Sequence, residues 1–202
     1  MDSHGLKGAK VYGVYGEFDY YHYLQDGMKD AEWGCAYRSL QTICSWFKLQ
    51  GFTRKPVPTH KKIQQVLVKI NDKPKSFIGS NTWIGAIEIS LFLDDQYNVQ
   101  SRILNVSSGS LVEKKVEDII NHFKKEGTPI MIGGGVLAFT ILGVAYNEET
   151  KEIRYLILDP HYTGKDDPEQ IVSKGWCAWK KNSLFLKDHF YNLCLPLRPK
   201  LV

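Results

Sequence analysis

One segment of the chain, Trp33-Gly34-Cys35-Ala36-Tyr37-Arg38-Ser39-Leu40-Gln41, places a cysteine directly after a glycine. Apolar residues then recur at positions 36, 40, 43, 44 and 47, and this spacing predicts a helix with one buried face. Cys35 would lie in the first turn, where unpaired backbone N–H groups and the positive end of the helix dipole favour the thiolate. Gly34 would let another backbone approach the sulfur, because it has no side chain. This is a suitable position for a nucleophile.

A lone cysteine on a helix is more often a small buried hydrophobe, so the catalytic interpretation requires a partner. The strand-like run Ile153 to Leu158 ends in Asp159-Pro160-His161. Pro160 holds Asp159 extended, and residues i and i+2 of an extended chain project to the same side. A carboxylate so placed can orient an imidazole, which takes the thiol proton and remains as the counter-ion of the thiolate. The two segments together predict Cys-His-Asp nucleophilic catalysis.

Three segments of the chain resemble the ubiquitin-fold-modifier-specific proteases, the UfSP family of cysteine proteases: Trp33 to Thr42, Ile132 to Leu137 and Leu158 to Gly164. The likeness runs from about Tyr20 to the C-terminus and is greatest to the catalytic half of the longer of two paralogues. It implies a papain-like thiol protease that cleaves after the C-terminal glycine of the modifier, maturing its precursor and releasing it from target lysines. An autophagin-like protease, a ubiquitin-directed protease and a non-catalytic modifier-binding pseudoprotease are the alternatives.

Attack on a carbonyl creates an oxyanion, which needs hydrogen-bond donors. The backbone N–H of Cys35 can be one donor, and the sequence alone offers four side chains for the second without ranking them: Tyr20, Tyr21, Tyr23 and Gln25. The family's oxyanion tyrosine lies twelve residues before its cysteine, so the resemblance assigns this role to Tyr23. Gln25 is the rival, because papain uses a glutamine. His22 is interpreted as a member of the aromatic cluster.

Five residues are candidates for binding the modifier tail: Trp33, Trp83, Gly133, Gly134 and Gly135. Trp83 would either join the core or form a wall of the substrate groove. The three glycines could form a tight turn, or they could allow another backbone to pass close by. A phosphate-binding loop is excluded, because no Gly-Lys-Ser/Thr motif and no helix start follow them.

Phe139 is a departure from the family pattern, in which a histidine occupies this position on the strand after the glycine turn. A phenylalanine cannot titrate, so any auxiliary part that this histidine plays in substrate handling does not carry over to this chain. The three residues predicted to carry the chemistry are unaffected by the difference.

The hydrophobic pattern predicts an α+β fold. Ile130–Ile132, Ala138–Tyr146 and Ile153–Asp159 are expected to be neighbouring strands of a central antiparallel sheet, with the nucleophile helix packed against it. Further helices are predicted over residues 59–70, with Thr59 as N-cap, over 82–94, burying Ile84, Ile87 and Leu91, and over 111–126. Further strands are predicted over 11–16, 100–106, 175–179 and 190–196.

Composition restricts the class of protein. With 202 residues, of which 43% are hydrophobic, the chain can bury one substantial core,. We expect an unstructured tail over residues 1–10 and a single papain-like catalytic domain over 11–202. The net charge of +4 comes from scattered lysines, so a nucleic-acid partner is not implied. No apolar run reaches the length of a membrane span, and no secretory signal is recognisable.

The four cysteines, Cys35, Cys44, Cys177 and Cys194, are too few and too widely spaced to indicate a disulfide framework or a zinc site,. No metal and no cofactor are expected, and a reducing compartment is favoured. The expected partners are the ubiquitin-fold modifier with its conjugates and, in addition, a membrane-anchored adaptor. We expect a cytoplasmic monomer that reaches the surface of the endoplasmic reticulum only through such a partner.

Overall fold

The computed structural model describes residues 3–199 of the chain. Its α-helices are α1 (Cys35–Leu49), α2 (His60–Lys69), α3 (Ala86–Tyr97), α4 (Val116–Lys125) and α5 (Pro168–Ser173). Its strands are β1 (Lys10–Gly13), β2 (Ser101–Val106), β3 (Ile130–Gly134), β4 (Leu137–Tyr146), β5 (Ile153–Leu158), β6 (Cys177–Lys180) and β7 (Tyr191–Pro196). Short 3-10 helices span Gln25–Gly27, Lys75–Phe77, Gly109–Lys115 and Asn182–Leu184.

The strands form one antiparallel sheet in the order β2-β7-β3-β4-β5-β6. The long strand β4 pairs with β3 along its first half and with β1 along its second half, so β1 and β3 share one edge of β4. The predicted meander of β3, β4 and β5 is present. The α+β prediction, with a central antiparallel sheet and the nucleophile helix packed on it, is confirmed.

Helices cover both faces of the sheet. In β3, Met131 packs into the apolar cluster that contains α1, α2 and α3, whereas its neighbours Ile130 and Ile132 pack into the cluster that contains α4. This alternation follows from the two-residue period of a strand. The hydroxyl oxygens of Ser39 and Thr140 lie 2.7 Å apart and join α1 to β4. The start of α1 is thereby fixed against the middle of the sheet.

The helix α1 differs from the prediction of one buried face, because every residue from Cys35 to Phe47 is buried. The side of α1 that turns away from the sheet is covered by α2 and by the segment 20–33. The polar side chains on that side are satisfied by partners rather than by water. Gln41 donates to the carbonyl of Pro58 at 2.9 Å, for example, as buried amides require.

Two predicted helices need correction at their starts. The helix α3 begins at Ala86 rather than near Thr82, because Gly85 is extended and its N–H donates to the carboxylate of Glu88 at 3.0 Å,. Its buried residues are therefore Ala86, Ile89, Phe92 and Leu93, and Ile87 is 47% exposed. The region 111–126 begins as a 3-10 helix and becomes α-helical only at Val116. The predicted N-cap Thr59 does accept a hydrogen bond from the N–H of Lys62.

Residues 3–10 are packed against the domain, in contrast to the predicted tail. Leu6 is buried, the carbonyl of Lys7 accepts a hydrogen bond from the Asn147 amide at 2.8 Å, and β1 already begins at Lys10. Residues 1 and 2 of that predicted tail lie outside the described residues, as do 200–202, and the single domain over 11–202 stays a prediction. No helix in the range 3–199 is both long and apolar enough to cross a bilayer.

Candidate active site

Cys35 is the first residue of α1 and is 9% exposed. The first N–H groups of a helix have no intrahelical acceptor, so the sulfur lies beside free donors and the positive end of the dipole. The neighbour that makes use of Gly34 is the side chain of Asp30, because a Cβ at position 34 would lie 2.6 Å from its carboxylate. The space that Gly34 leaves is therefore filled by this side chain, and the approach of another backbone to the sulfur stays a prediction.

Asp159 and His161 follow the end of β5, but Pro160 and His161 lie in a turn, so the expectation of an extended chain through Pro160 is wrong. One carboxylate oxygen of Asp159 accepts from Nδ1 of His161 at 2.5 Å and from its backbone N–H at 3.0 Å. The N–H of Asp159 itself donates to the carbonyl of Trp176 at 2.8 Å. Because a carboxylate only accepts, Nδ1 carries a proton, and Nε2 is the nitrogen left for chemistry.

Nε2 of His161 is buried and has no well-aligned hydrogen-bond partner among the described residues. Burial lowers the pKa of His161, but interactions with the side chains of Asp159 and Cys35 outweigh burial and raise the pKa from 6.5 to about 9. Since Nδ1 is held by Asp159, the sulfur of Cys35 is the group on which Nε2 acts. The structure therefore brings Cys35, His161 and Asp159 together, and their catalytic roles stay predictions.

Tyr23 is buried beside the same sulfur. Burial and then the charge and hydrogen bond of Cys35 raise the pKa of its phenol well above the ordinary value, so the hydroxyl keeps its proton and can donate. Its ring meets the imidazole of His161 edge to face, with 5.3 Å between the centroids. Its N–H donates to the carbonyl of Pro160 at 2.9 Å. Tyr23 thus contacts both the nucleophile and the base.

Two of the other candidates for the oxyanion donor, Gln25 and Tyr20, have their polar groups bonded elsewhere, and Tyr21 does not line the cleft that contains Cys35. The amide of Gln25 donates to the carbonyl of Tyr20 at 3.2 Å and to the carboxylate of Asp166 at 3.0 Å. The hydroxyl of Tyr20 donates to the carbonyl of Asp159. This bond supports the turn that carries His161. His22 packs between Tyr20 and Tyr162, as expected for a member of the aromatic cluster.

An open cleft of about 300 Å³ has Cys35 in its lining. All five predicted tail-binding residues line it as well: Trp33, Trp83, Gly133, Gly134 and Gly135. Trp83 is 48% exposed, so it forms a wall of the groove and does not join the core. Trp33 is mostly buried, and its indole donates to the carbonyl of Lys29 at 3.1 Å. Phe190 and Asn192 also line the cleft.

Two of the three glycines, Gly134 and Gly135, are required by packing within the protein. A Cβ on Gly134 would lie 2.1 Å from the carbonyl oxygen of Phe190, and one on Gly135 would lie 2.7 Å from the ring of His189. Gly135 also has a φ of 57°, which favours glycine. The backbone that passes close to Gly134 therefore belongs to Phe190 of the chain itself, whereas the neighbour of Gly135 is the side chain of His189. Gly133 and Gly134 lie in β3, and only Gly135 lies in the turn.

Phe139 lies against the other side of the base. It is buried in β4, and its ring meets the His161 ring at an angle of 63° with 5.6 Å between the centroids. The imidazole is thus flanked by Tyr23 and Phe139, two rings that hold it without adding a charge at neutral pH. Phe139 supplies no second acid or base here.

Three residues of this region were missed by the sequence reasoning: Asp30, Arg38 and His60. Asp30 is fully buried and accepts from Nε of Arg38 at 2.6 Å and from Nε2 of His60 at 2.9 Å. His60 is buried and stacks on Tyr37. The sequence did contain one signal for this buried cluster. Arg38 is a charged residue one turn after Cys35, in a helix that packs on a sheet, and a buried charge needs a partner.

No group of three or more potential metal ligands comes together within the described part of the chain. All four cysteines are free, and Cys44 and Cys194 are fully buried. Burial raises the pKa of both of these thiols to about 12, which makes them poor nucleophiles. Cys177 is partly buried, and burial raises the pKa of its thiol as well.

Comparisons with known proteins agree with this geometry. The chain is 57% identical over 202 residues to Ufm1-specific protease 2 of Gallus gallus, covering all of this chain and 44% of that protein. It is 56% identical over 197 residues to Ufm1-specific protease 2 of Homo sapiens, covering 98% of this chain and 42% of that protein. The chain thus spans less than half the length of these relatives.

The fold matches the crystal structure of UfSP from C. elegans with a TM-score of 0.87 and 49% sequence identity, over 96% of this chain and 35% of that chain. The resemblance to the ubiquitin-fold-modifier-specific proteases is confirmed. The sequence profile of peptidase family C78 matches residues 9–194, and this chain belongs to that family.

Proposed function

We propose that this chain is a cysteine peptidase and isopeptidase that cleaves after the C-terminal glycine of Ufm1, maturing the precursor and removing the modifier from target lysines. The proposal is carried by one observation. The Asp159–His161 pair and the hydroxyl of Tyr23 converge on Cys35 at the N-terminus of a helix. The relatives named Ufm1-specific protease supply the identity of the modifier.

The chemistry follows from the roles of these groups. His161 takes the proton of the Cys35 thiol, and the thiolate forms a bond to the carbonyl carbon of the terminal glycine. The oxyanion accepts hydrogen bonds from the Tyr23 hydroxyl and the Cys35 N–H. The tetrahedral intermediate then collapses. His161 gives its proton to the leaving amine, which is the next residue of the precursor or the ε-amine of a target lysine, and a thioester remains on Cys35.

Water completes the cycle. His161, again neutral at Nε2, takes a proton from a water molecule that attacks the thioester carbonyl, and the thiol of Cys35 leaves with that proton. Asp159 keeps Nδ1 protonated and the ring oriented throughout. The edges of the Tyr23 and Phe139 rings limit rotation of the imidazole between the two steps.

The modifier tail would enter through the cleft between Trp83 and the β3–β4 turn. The lining of this cleft includes large apolar side chains, among them Trp83 and Phe190. An extended, glycine-ended tail can place its last carbonyl on the sulfur without a side chain to accommodate beside Cys35. We therefore propose that Trp33, Trp83 and the segment Gly133–Gly135 bind the tail.

The proposal is tested with modifiers that carry a C-terminal electrophile. Ufm1, ubiquitin and an autophagy-type modifier are each incubated with the chain, and adducts are mapped by mass spectrometry. We expect rapid adduct formation at Cys35 with Ufm1 alone. Faster reaction with either of the other modifiers would contradict the substrate assignment.

Cys35→Ser separates an enzyme from a binding module. We expect this variant to lose cleavage of both the Ufm1 precursor and a lysine-linked Ufm1 conjugate, because an alcohol is hardly ionised at neutral pH. Binding of Ufm1 should persist, measured by calorimetry with the mature modifier. Cys177→Ala is the matched control and should retain activity. Turnover that survives the loss of the Cys35 thiol would refute catalysis by this residue.

We further propose a cytoplasmic location, a monomeric catalytic unit, and attachment to the endoplasmic reticulum through a membrane-anchored adaptor. Four free cysteines are the composition expected of a reducing compartment,. Light scattering of the purified chain tests the monomer. Fractionation of cells that express the chain, with and without candidate adaptors, tests the location.

A further inference from the structure

We propose that Asp30 is a positioning residue for the reaction: it holds the hydroxyl of Tyr23 against Cys35 by joining the segment that carries Tyr23 to the start of α1. The inference rests on the proposed function only for the role of Tyr23 as oxyanion donor. Asp30 itself is fully buried and acts through its neighbours without touching the substrate.

The side chain of Asp30 bonds to residues next to both reacting groups. One carboxylate oxygen accepts from the N–H of Leu24, the residue after Tyr23, at 2.8 Å. The other accepts from Arg38 at 2.6 Å, and Arg38 lies one turn after Cys35 in α1. A single carboxylate therefore links the position of the donor to the helix that carries the nucleophile.

The backbone of Asp30 makes a second link to the same place. Its carbonyl accepts from the N–H of Gly34 at 2.8 Å and from the N–H of Trp33 at 3.2 Å. The side chain fits there only because Gly34 lacks a Cβ. Asp30 thus bonds to the residue directly before Cys35 as well as to the residue directly after Tyr23.

The segment 20–33 depends on such links, because it has little structure of its own. Its regular structure amounts to the single 3-10 turn Gln25–Gly27. Leu24, Asp26 and Glu32 adopt positive φ values of 63°, 55° and 77°, which non-glycine residues avoid unless tertiary contacts impose them. The bond from Leu24 N–H to Asp30 is such a contact, and it lies at the peptide group next to Tyr23.

Asp30 can do this at neutral pH because it stays ionised. Burial would raise the pKa of the carboxyl, but hydrogen bonds from His60, Arg38 and the Leu24 N–H outweigh burial and lower the pKa. Arg38 and His60 are themselves almost fully buried. The three side chains form a compact charged cluster behind the active site, away from the cleft that contains Cys35.

The test is a double-mutant cycle between Asp30→Asn and Tyr23→Phe, measured as kcat and KM for cleavage of the Ufm1 precursor. Loss of a full oxyanion donor costs about 10²-fold to 10³-fold in kcat, and displacement of the same donor should cost about tenfold or more. We expect Asp30→Asn to lower kcat with KM unchanged. In the Tyr23→Phe background the same change should have almost no further effect, because there is no hydroxyl left to position.

The alkylation rate of Cys35 by iodoacetamide is the second readout. This reaction needs the thiolate but no oxyanion, so Asp30→Asn should leave it unchanged. A merely structural role would lower alkylation and kcat together, or lower kcat equally in both Tyr23 backgrounds. Either result, or a folded Asp30→Asn with wild-type kcat, would overturn the proposal.

Two further variants keep the test decisive. Asp118→Asn removes the carboxylate of a partly exposed Asp–Arg pair, with Arg102 at 2.6 Å, and should leave kcat unchanged. If Asp30→Asn does not fold because Arg38 is left unpaired, Asp30→Asn with Arg38→Met removes the buried cation as well, and the same loss of kcat is expected. Absence of Ufm1 cleavage by the wild-type chain would instead contradict the proposed function, and the cycle would then be measured on whichever modifier the chain cleaves.

Discussion

The two arms of the active site are held in place in opposite ways. The base arm is local: Asp159 and His161 are two residues apart at the end of β5 and bond each other directly. The donor arm is not: Tyr23 lies in an irregular segment that is fixed by Pro160, and through Asp30 by Arg38 and His60. An arm whose residues are neighbours in the chain can be recognised in a sequence. An arm held by contacts between distant residues becomes visible only in the structure.

A substitution in the base arm should have the largest effect on activity. Asp159→Asn keeps the shape of the side chain but can no longer hold Nδ1 of His161 as a charged acceptor. We expect kcat/KM for the Ufm1 precursor to fall by about 10³-fold to 10⁴-fold, as when the orienting acid of a triad is lost. Asp167→Asn is the control, because Asp167 caps the short helix α5. A loss below tenfold for Asp159→Asn would mean that the local arm is dispensable.

Breaking the donor arm should cost less. Tyr23→Phe removes the hydroxyl but keeps the ring that meets His161, so we expect kcat to fall about 10²-fold to 10³-fold with little change in KM. Tyr21→Phe is a matched control from the same segment, because Tyr21 lines a different surface pocket, together with Asp19 and Asp26, and not the cleft that contains Cys35. Equal effects of the two substitutions would contradict the assignment of the donor.

The pH dependence sharpens the comparison without a mutation. Because the folded-state pKa of His161 is raised from 6.5 to about 9, the imidazolium that pairs with the thiolate persists through neutral pH. We expect kcat/KM to decline as pH rises through about 9, by about tenfold per pH unit once the group has titrated. Asp159→Asn should move this decline to lower pH, and Tyr23→Phe should not.

The same shift has a consequence for stability. A group whose pKa is raised in the folded state stabilises the fold fully below its unfolded pKa and loses that contribution as pH rises through the folded value. The contribution of His161 should thus be complete below about pH 6.5 and disappear as pH rises through about 9. Thermal unfolding of wild type and His161→Asn across this window would measure it, and parallel curves would contradict it.

The smallest effect is expected from the cleft wall, which belongs to neither arm. Trp83→Ala removes a half-exposed ring from the groove, and we expect KM for the Ufm1 precursor to rise several-fold while kcat is retained. Leu49→Ala alters a similarly exposed apolar residue at the far end of α1 and should change neither constant. A fall in kcat alone for Trp83→Ala would assign this residue to the chemistry and not to binding.

Much of the fold and the base arm could be predicted because the physical reason was local. The spacing of apolar residues after Cys35 gives α1, the hydroxyl of Thr59 caps α2, and Asp159 bonds directly to the residue two positions later, His161, although through a turn and not an extended chain. In each case the residues that decide the geometry lie within a few positions of one another. Tyr23 was different, because its hydroxyl was chosen from four candidates only by the resemblance.

The missed features depend on residues that are distant in sequence. The burial of His60 requires Asp30 and Tyr37, and the need for glycine at position 134 comes from the carbonyl of Phe190. The start of α3 shifted because Gly85 and Glu88 cap it from within, a signal that the apolar period alone does not contain. Nothing in the local pattern indicated that β7 would lie between β2 and β3.

That sheet order determines how late in synthesis the active-site cleft can be completed. In the order β2-β7-β3, the strands β2 and β3 are bridged by β7, so this part of the sheet cannot close until residues 191–196 have left the ribosome. His189 and Phe190, which pack against Gly135 and Gly134, are translated equally late. Cys35 is therefore translated long before Phe190 and Asn192, which line the same cleft, and a nascent chain arrested before Phe190 would carry the thiol in an incomplete cleft.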